Sequence, residues 1–450
     1  MTNMTADSNA LNLLDDLLKK AKTKGADAAD AVFFHSSSVS HSQRMGKLEK
    51  LERDEAHDLG LRVFKGKRQA IVSSTDTSSA ALDELLDRAL AMADVVPEDP
   101  YCGIADPEQI ATSFPELEMY DPEEPDAQTL IERAKQCEEA ALSVEGIHNS
   151  GGADASWGMA SIAMAASNGF RGGYRSSGQS VSVSVLAQGE DGMERDYDFT
   201  SAIFAEDLDS PQSVGRSAGE RTVKRLNARK PQTMTAPVIF DPRVSAGLMG
   251  HMIGAINGPA IARGTSFLKD KLEQQIFSKG ITIVDDPHLH RGVRSKPFDG
   301  EGLQNRKTVL VDDGVLQTWI LSLSSARQLG LQSTAHASRG TSGTPGPSVT
   351  NLYMEAGSVS VRDLISDIKS GFYVTEMMGS SVNGLTGDYS RGASGFWIEN
   401  GEITHPVGEA TIAGNLLEMY LKTTPADDLV MRYGSNAPTL RVDGMTIAGS

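Results

Sequence analysis

The sequence predicts an α+β protein with two domains. We expect an N-terminal α+β domain (residues 1–231) with helices packed on antiparallel strands, and a C-terminal, mostly antiparallel β domain with a few helices (residues 232–450). Residues 180–187 (SVSVSVLA) alternate polar and apolar side chains, which is typical of a half-buried strand. Residues 308–320 place Asp313-Gly314 between two apolar runs, as in a β-hairpin. A chain of 450 residues is also longer than one core usually serves.

Four amphipathic helices are predicted in the N-terminal domain, because apolar residues recur there at helical spacing. They cover residues 11–21, 78–93, 126–142 and 210–228. β-rich segments separate them, including a hairpin over residues 61–73 that turns at Lys65-Gly66. The order helix, strands, helix therefore occurs twice, and predicts a pseudo-repeat of residues 10–95 and 126–228. Residues 95–125 are rich in Pro, Asp and Glu, and indicate a surface connection.

The C-terminal domain begins with a short strand and a helix. Residues 236–240 are apolar, Asp241 is a good N-cap, and Pro242 suits the first helical position because its missing N–H costs nothing there. Asn257-Gly258-Pro259 ends this helix. Strand and turn signals dominate downstream. We predict a short helix over 361–368, a hairpin around 396–402, a helix or turn over 413–421 and a terminal strand over 439–447.

Composition limits the classes of partner and compartment. The formal net charge is −18, which repels phosphate backbones and disfavours direct nucleic-acid binding. Cys102 and Cys137 are too few for a disulfide framework or a Cys-rich zinc site, as is usual in a reducing cytoplasm. The first residues lack a signal-peptide pattern, and no apolar run approaches the roughly 20 residues that span a membrane. We expect a cytoplasmic protein without membrane contact.

Two histidine patterns invite a metal interpretation. His251 lies inside the helix that starts at Pro242, but Met252 follows it, and no second histidine stands four or five residues away. A zinc enzyme needs three protein ligands in a defined arrangement, so His251 is expected to be structural or to line a cleft, and not to bind a metal. His288 and His290 alternate onto one face, in what we predict to be an exposed turn. Their roles stay open. Neither a G-x-S-x-G elbow nor a phosphate-binding loop is present.

Glycine-rich polar segments stand out in the C-terminal half, at residues 297–302, 339–348, 381–392 and 412–415. Such segments can present backbone N–H and C=O groups to an extended peptide. The alternative is that each segment is only a tight β-turn.

Several of these segments together resemble one protein family. DPRVSAGLM, ARGTSFL, FDGEG, TNLYMEAG, VNGLTGDYSRGASGFWIENGEITHPV and IAGNL are similar to the landmarks of the TldD/PmbA family, also described as peptidase U62 or modulators of DNA gyrase. The resemblance spans essentially residues 232–450. It implies cytosolic proteins that process peptides. In the TldD branch, an H-E-x-x-x-H helix and a cysteine near the C-terminus hold a metal. The PmbA/TldE branch lacks these ligands and joins TldD in a heterodimeric protease.

The resemblance can be carried over by position. When the H-E-x-x-x-H motif of the family is aligned without gaps on residues 263–266, its two histidines fall on Met249 and Gly254. Its glutamate falls on Gly250. The cysteine position falls near Tyr433. A thioether, a hydrogen atom and a phenol do not replace two imidazoles and a thiolate around zinc. The resemblance therefore implies a PmbA/TldE-like chain with no catalytic residue and no metal of its own, and zinc in a TldD-type partner.

The implied function is that of a non-catalytic subunit. It would support substrate binding in a TldD–TldE-type cytosolic zinc metalloprotease that cleaves unfolded peptides, as in peptide maturation or antitoxin degradation, and would be active only in the heterodimer. Seven residues are candidates for lining the substrate channel: His251, Arg263, Gly340, Thr341, Asn383, Thr386 and Asp388. One alternative is a stand-alone homodimeric peptide-binding or regulatory protein of the gyrase-modulator type. Another is an independent hydrolase that uses His251 or the His288/His290 pair. The peptide substrate and the cleavage rule are not specified by the sequence.

Overall fold

The computed structural model describes residues 8–190 and 192–449, and for Ser380 only the backbone. Helices and antiparallel sheets occur in both the N-terminal and the C-terminal half, so the predicted α+β class is confirmed.

Six long strands form one antiparallel sheet in the N-terminal half, in the order β3-β2-β1-β4-β5-β6. The hairpin predicted at Lys65-Gly66 is confirmed as the β2–β3 turn. The central pair joins β1 to β4, so both predicted units contribute to a single sheet. The bounds are α1 (Ser8–Thr23), β1 (Ala28–Arg44), β2 (Lys47–Lys65), β3 (Arg68–Ser74), α2 (Ser79–Val95), α3 (Ala127–Leu142), β4 (Ile147–Ala166), β5 (Arg171–Gln188), β6 (Met193–Ala202) and α4 (Pro211–Lys224).

The two faces of this sheet have different neighbours. Helices α1 and α2 cover one half of one face, and α3 and α4 cover the other half. On β1, Ala29 and Ala31 belong to the helix-covered core. Val32 belongs to a separate apolar cluster on the opposite face, and Phe298 of the C-terminal half packs in that cluster. Because side chains alternate along a strand, Asp30 and Phe34 also point towards the C-terminal half.

The connection between α2 and α3 is not confined to the surface, so that prediction was wrong. Leu117 and Met119 are each 1% exposed. The carbonyl of Met119 accepts a hydrogen bond from the N–H of Ser177 on β5, at 2.9 Å. The N–H of Ala111 donates to the carbonyl of Gly302, at 2.8 Å. The segment therefore runs between the sheet and the C-terminal half, and its alternating apolar residues are buried there.

The C-terminal half contains a second set of elements. Both predicted hairpin turns are confirmed, at Asp313-Gly314 and Asn400-Gly401, where each residue has a positive φ. The bounds are β7 (Met234–Phe240), α5 (Pro242–Ala255), α6 (Gly258–Ala262), β8 (Ile283–Asp285), β9 (Thr308–Asp312), β10 (Val315–Leu316), α7 (Leu323–Leu329), β11 (Ala337–Ser338), β12 (Gly346–Pro347), β13 (Leu352–Met354), α8 (Val361–Ile365), β14 (Ser370–Val382), β15 (Asp388–Glu399), β16 (Glu402–Asn415), α9 (Leu416–Leu421), β17 (Thr423–Pro425), β18 (Ser435–Asn436) and β19 (Leu440–Gly449).

Strands β7, β14, β15, β16 and β19 close into a barrel. They pair in that order, and residues 410–413 of β16 also pair with residues 446–449 of β19. The pairing is antiparallel except between β7 and β14. The buried face of α5 joins the barrel residues in one apolar core. No helix in residues 8–190 and 192–449 is both long and apolar enough to cross a bilayer.

Candidate functional site

Helix α5 carries the positions that the family resemblance assigns to metal ligands, so the site is built from this helix outward. Asp241 caps its N-terminus as predicted, because Oδ1 accepts from the N–H of Arg243 at 3.0 Å. The hydroxyl of Tyr373 on β14 donates to Oδ2 of Asp241 at 3.0 Å. The hydroxyl of Tyr420 on α9 donates to the carbonyl of Leu248 at 2.9 Å. These bonds tie α5 to the barrel and to α9.

The two faces of α5 are unlike. Met249 and Met252 lie on the face that enters the barrel core, and neither is exposed to solvent. Gly247, Gly250 and Gly254 lie on the solvent-exposed face, where an added Cβ would have no atom within 4 Å at any of the three apart from the adjoining residues and backbone of the helix itself. Their spacing puts them one above another along the helix. The exposed face of α5 is therefore bare backbone.

His251 stands beside this bare face and packs against Tyr389 of β15. The two ring centroids are 5.8 Å apart, with an interplanar angle of 78°. Burial lowers the pKa of His251, and the nearby positive charge of Arg391 lowers it further. Burial also raises the pKa of Tyr389 to about 12. At neutral pH both rings are uncharged, so they can donate or accept hydrogen bonds, but they offer no charged group for catalysis.

The three family ligand positions do not fit a metal ion in this chain. Met249 is buried among apolar side chains, and Gly254 has no side chain on the exposed face. The ring of Tyr433 stacks on Phe199 of β6, with centroids 5.0 Å apart. Across the described ranges, 8–190 and 192–449, no three His, Cys, Asp or Glu side chains gather in the way that a metal site requires.

Three channel candidates form the turn between β14 and β15. Oδ1 of Asn383 accepts from the N–H groups of Leu385 and Thr386, at 2.9 and 3.3 Å. Oγ1 of Thr386 donates to Oδ2 of Asp388 at 2.7 Å, and Asn415 donates to the carbonyl of Thr386 at 2.9 Å. These side chains are engaged in holding the turn, which favours the β-turn interpretation of this segment. The turn lies next to α5, because Asp388 directly precedes Tyr389, and the ring of Tyr389 packs against His251 of α5.

The remaining channel candidates lie where the N-terminal sheet meets the C-terminal half. Oγ1 of Thr341, which follows Gly340, donates to Asp58 of β2. Arg263, just after α6, lines a cavity of about 300 Å³ together with Arg62 of β2. The seven candidates therefore occupy two places. His251 and the β14–β15 turn form one, and residues 263, 340 and 341 form the other.

The segment around His288 and His290 forms turns as predicted, but its acidic flank is buried and not exposed. Asp285 is 1% exposed, and its carboxylate accepts from the N–H and the hydroxyl of Thr350, at 2.6 and 2.9 Å. Nε2 of His288 lies 2.8 Å from Oδ1 of Asn305. The acidic residues are buried because their oxygens satisfy donors in the C-terminal half. His290 alone is exposed.

A buried ion cluster at the same junction was missed by reasoning from sequence. Asp30 of β1 accepts from Nε of Arg62 at 3.1 Å and from Nη1 of Arg339 at 2.6 Å. Their side chains are 6%, 4% and 2% exposed, respectively. Burial by itself would raise the pKa of Asp30, but the two guanidinium groups hold it below its usual value. The signal in the sequence was one charge inside each of two apolar runs, AADAVFF (residues 28–34) and LGLRVF (residues 59–64).

Three family models match the chain in succession. They are the PmbA/TldA metallopeptidase domain 1 over residues 29–93, the central domain over 120–226 and the C-terminal domain over 233–449. The chain belongs to the PmbA/TldD family. Metalloprotease PmbA of Escherichia coli is 38% identical over 426 residues, which cover 94% of this chain and 93% of that protein. The metalloprotease PmbA homolog of Haemophilus influenzae is 36% identical over 430 residues, with 95% and 94% covered.

Solved structures share the fold over almost the whole chain. A candidate modulator of DNA gyrase from Bacteroides thetaiotaomicron matches with a TM-score of 0.91 and 27% identity, over 99% of this chain and all of that one. TldE from Thermococcus kodakarensis matches with a TM-score of 0.88 and 20% identity, over 97% of this chain and all of that one. At this identity, the similarity to the Thermococcus protein shows a shared fold only.

Proposed function

We propose that this chain is the PmbA/TldE-like, non-catalytic subunit of a TldD–TldE-type metalloprotease complex that cleaves unfolded peptides. One observation carries the proposal. Helix α5 is capped and packed as a scaffold, yet the ligand positions of the family hold Met249, Gly254 and Tyr433, which offer no zinc site. The relatives named metalloprotease PmbA and the fold shared with a TldE support it. The hydrolytic chemistry would then belong to the zinc of a TldD-type partner in the cytoplasm.

The exposed face of α5 is the part that we assign to contact with the partner or its peptide. Backbone at Gly247, Gly250 and Gly254 is open to approach, because no side chain covers it. The neutral ring of His251 borders this face and can bind main-chain groups without burying a charge, while Tyr389 packs behind it in the core. An extended peptide recognises such a surface through its own backbone N–H and C=O groups.

Co-expression with a TldD-type chain that carries the intact H-E-x-x-x-H helix tests the proposal. The chain purified alone should hold far less than one zinc per molecule by elemental analysis, and should cleave no unstructured peptide. The co-purified pair should bind zinc and cleave the same peptide. About one tightly bound zinc per chain in the protein alone, together with cleavage, would overturn the proposal.

A leucine on the bare face probes the contact directly. Gly250→Leu adds a bulky side chain on the exposed face, where a Cβ has open space, and removes a glycine from a helix, so the variant should be at least as thermally stable as wild type. It should lose association with the partner, or lose the peptide cleavage of the pair. Glu220→Leu, on the exposed side of α4, is the matched control and should behave as wild type. Equal behaviour of the two variants would remove α5 from the interface.

A stand-alone homodimeric peptide-binding or regulatory protein is the second candidate. It is favoured by the fold shared, over nearly the whole chain, with the Bacteroides protein described as a candidate gyrase modulator. Light scattering distinguishes the two functions. A homodimer that persists when the TldD-type chain is added supports regulation, whereas exchange into a mixed complex supports the protease subunit.

A further inference from the structure

A cavity of about 140 Å³ lies between the N-terminal sheet and the C-terminal half, away from α5. Its walls are partly apolar, and its polar lining comes from side chains of both halves. The apolar residues are Val32, Phe34, Ile162, Met164 and Phe298. The polar side chains are Tyr174, Lys296, Asp299, Ser338 and Arg339. The cavity has room for about five water molecules at roughly 30 Å³ each.

Hydrogen-bond donors around this cavity outnumber their acceptors. The side chain of Arg339 is 2% exposed, and Nη1 binds Asp30 at 2.6 Å. Its Nε and Nη2 atoms are buried, with no acceptor within reach anywhere in residues 8–190 and 192–449. In the same described ranges, Nζ of Lys296 and the hydroxyl of Tyr174 make no hydrogen bond or ion pair. Donors without a partner are costly when buried, and a ligand in the cavity can satisfy those of Lys296 and Tyr174, whose side chains are half-buried.

The charged side chains that line the cavity are two cations, Lys296 and Arg339, and one carboxyl group, Asp299. Asp30 is shared between Arg62 and Arg339, so one carboxylate serves two guanidinium groups. Asp299, and after it Asp285, are the carboxyl groups whose charge acts on Lys296, but main-chain N–H groups donate to both oxygens of Asp299. The N–H groups of Glu301 and Leu303 donate to Oδ1, at 2.9 and 2.8 Å, and the N–H of Ala337 donates to Oδ2, at 3.1 Å. Burial also raises the pKa of Asp299, which weakens it as a counter-ion.

We propose that this cavity binds the carboxylate of a small ligand that also carries a short apolar group. Lys296 receives the carboxylate together with the Tyr174 hydroxyl, because a charge-assisted hydrogen bond is stronger than a neutral one, and the buried guanidinium of Arg339 adds a second positive charge at the cavity wall. Burial raises the pKa of Tyr174 to about 12, which keeps its proton in place for donation. The apolar group packs between Phe34 and Phe298. The ligand is either a free small acid or the C-terminal residue of a peptide, and the proposal does not depend on the proposed function.

Calorimetric titration of the full-length protein tests this site. The probes are 3-methylbutanoate and its neutral isostere 3-methylbutanamide, and N-acetyl-alanyl-valine with either a free or an amidated C-terminus. Binding of the free acid alone identifies a small-acid site. Binding of the free-ended dipeptide but not of its amide identifies a peptide terminus. Either outcome supports carboxylate recognition. Failure of both carboxylates to bind, or equal binding of the neutral probes, would overturn it.

Variants locate the site without disturbing the ion cluster at Asp30. Lys296→Met should weaken carboxylate binding about tenfold or more, because a charge-assisted hydrogen bond is lost. Tyr174→Phe should weaken it by a smaller factor, and serves as a second test should Lys296→Met fail to fold. Lys224→Met, an exposed lysine on α4, is the control and should bind as wild type. Unchanged affinity in both cavity variants would place any binding elsewhere and refute the proposal.

Discussion

Asp30 should be among the residues on which the junction between the two halves depends most strongly. Arg62 and Arg339 donate to its two carboxylate oxygens from β2 and from the loop after β11. Asp30→Asn keeps the shape but removes the charge, which leaves two buried guanidinium groups without a counter-ion. Breaking a buried ion pair from one side costs about 3–5 kcal/mol. We expect a loss at the upper end of this range, because two cations lose the same partner.

Urea denaturation at neutral pH, followed by tryptophan fluorescence, measures this loss. Asp58→Asn is the matched control, since Asp58 accepts one hydrogen bond, from Thr341 of the same loop, and is only half-buried. The control should cost about 1 kcal/mol or less. If Asp30→Asn were no more destabilising than Asp58→Asn, the ion cluster would not be what holds the loop to the sheet.

The stability difference between wild type and Asp30→Asn should also depend on pH. The pKa of Asp30 is lowered in the folded protein, so its contribution to stability is complete above the unfolded value of about 3.9 and is lost as pH falls through the folded value. The stability gap between wild type and Asp30→Asn should therefore narrow only in strong acid. A gap that closes already near neutral pH would contradict the assignment.

Three further predictions concern single side chains. Gly60→Ala should lower the melting temperature strongly, because the added Cβ would lie 2.3 Å from the carbonyl oxygen of Thr341. Gly178→Ala is the control and should not lower it, because an added Cβ has open space there. Equal melting temperatures of the two variants would refute this reasoning. The lowered pKa of His251 means that stability is lost as pH falls below about 6.5, so His251→Gln should show a smaller drop in melting temperature between neutral and mildly acidic pH. Burial, and then the charge of Asp299, raise the pKa of Glu301, so its stabilising effect is lost as pH rises; Glu301→Gln should gain melting temperature relative to wild type at alkaline pH, and no gain would contradict it.

Local patterns predicted the secondary structure well, because the forces that select it act over a few residues. The cap at Asp241, the start of α5 at Pro242 and the two hairpin turns follow from backbone and turn chemistry. The same patterns failed for residues 95–125 and for Asp285. In both cases polar composition indicated exposure, but partners far away in sequence buried the segment.

The sequence alone determined the α+β class, the family resemblance and the absence of a ligand set on α5, since each depends on which residue stands at which position. Only the tertiary structure decided that one face of α5 is formed by glycines without covering side chains. It also decided that Asp30 and Arg339, which are 309 residues apart in the sequence, form an ion pair. It also decided that donors of both halves enclose the cavity beside Lys296. These arrangements arise when two separately patterned halves pack together, and no local pattern of residues records which faces will meet.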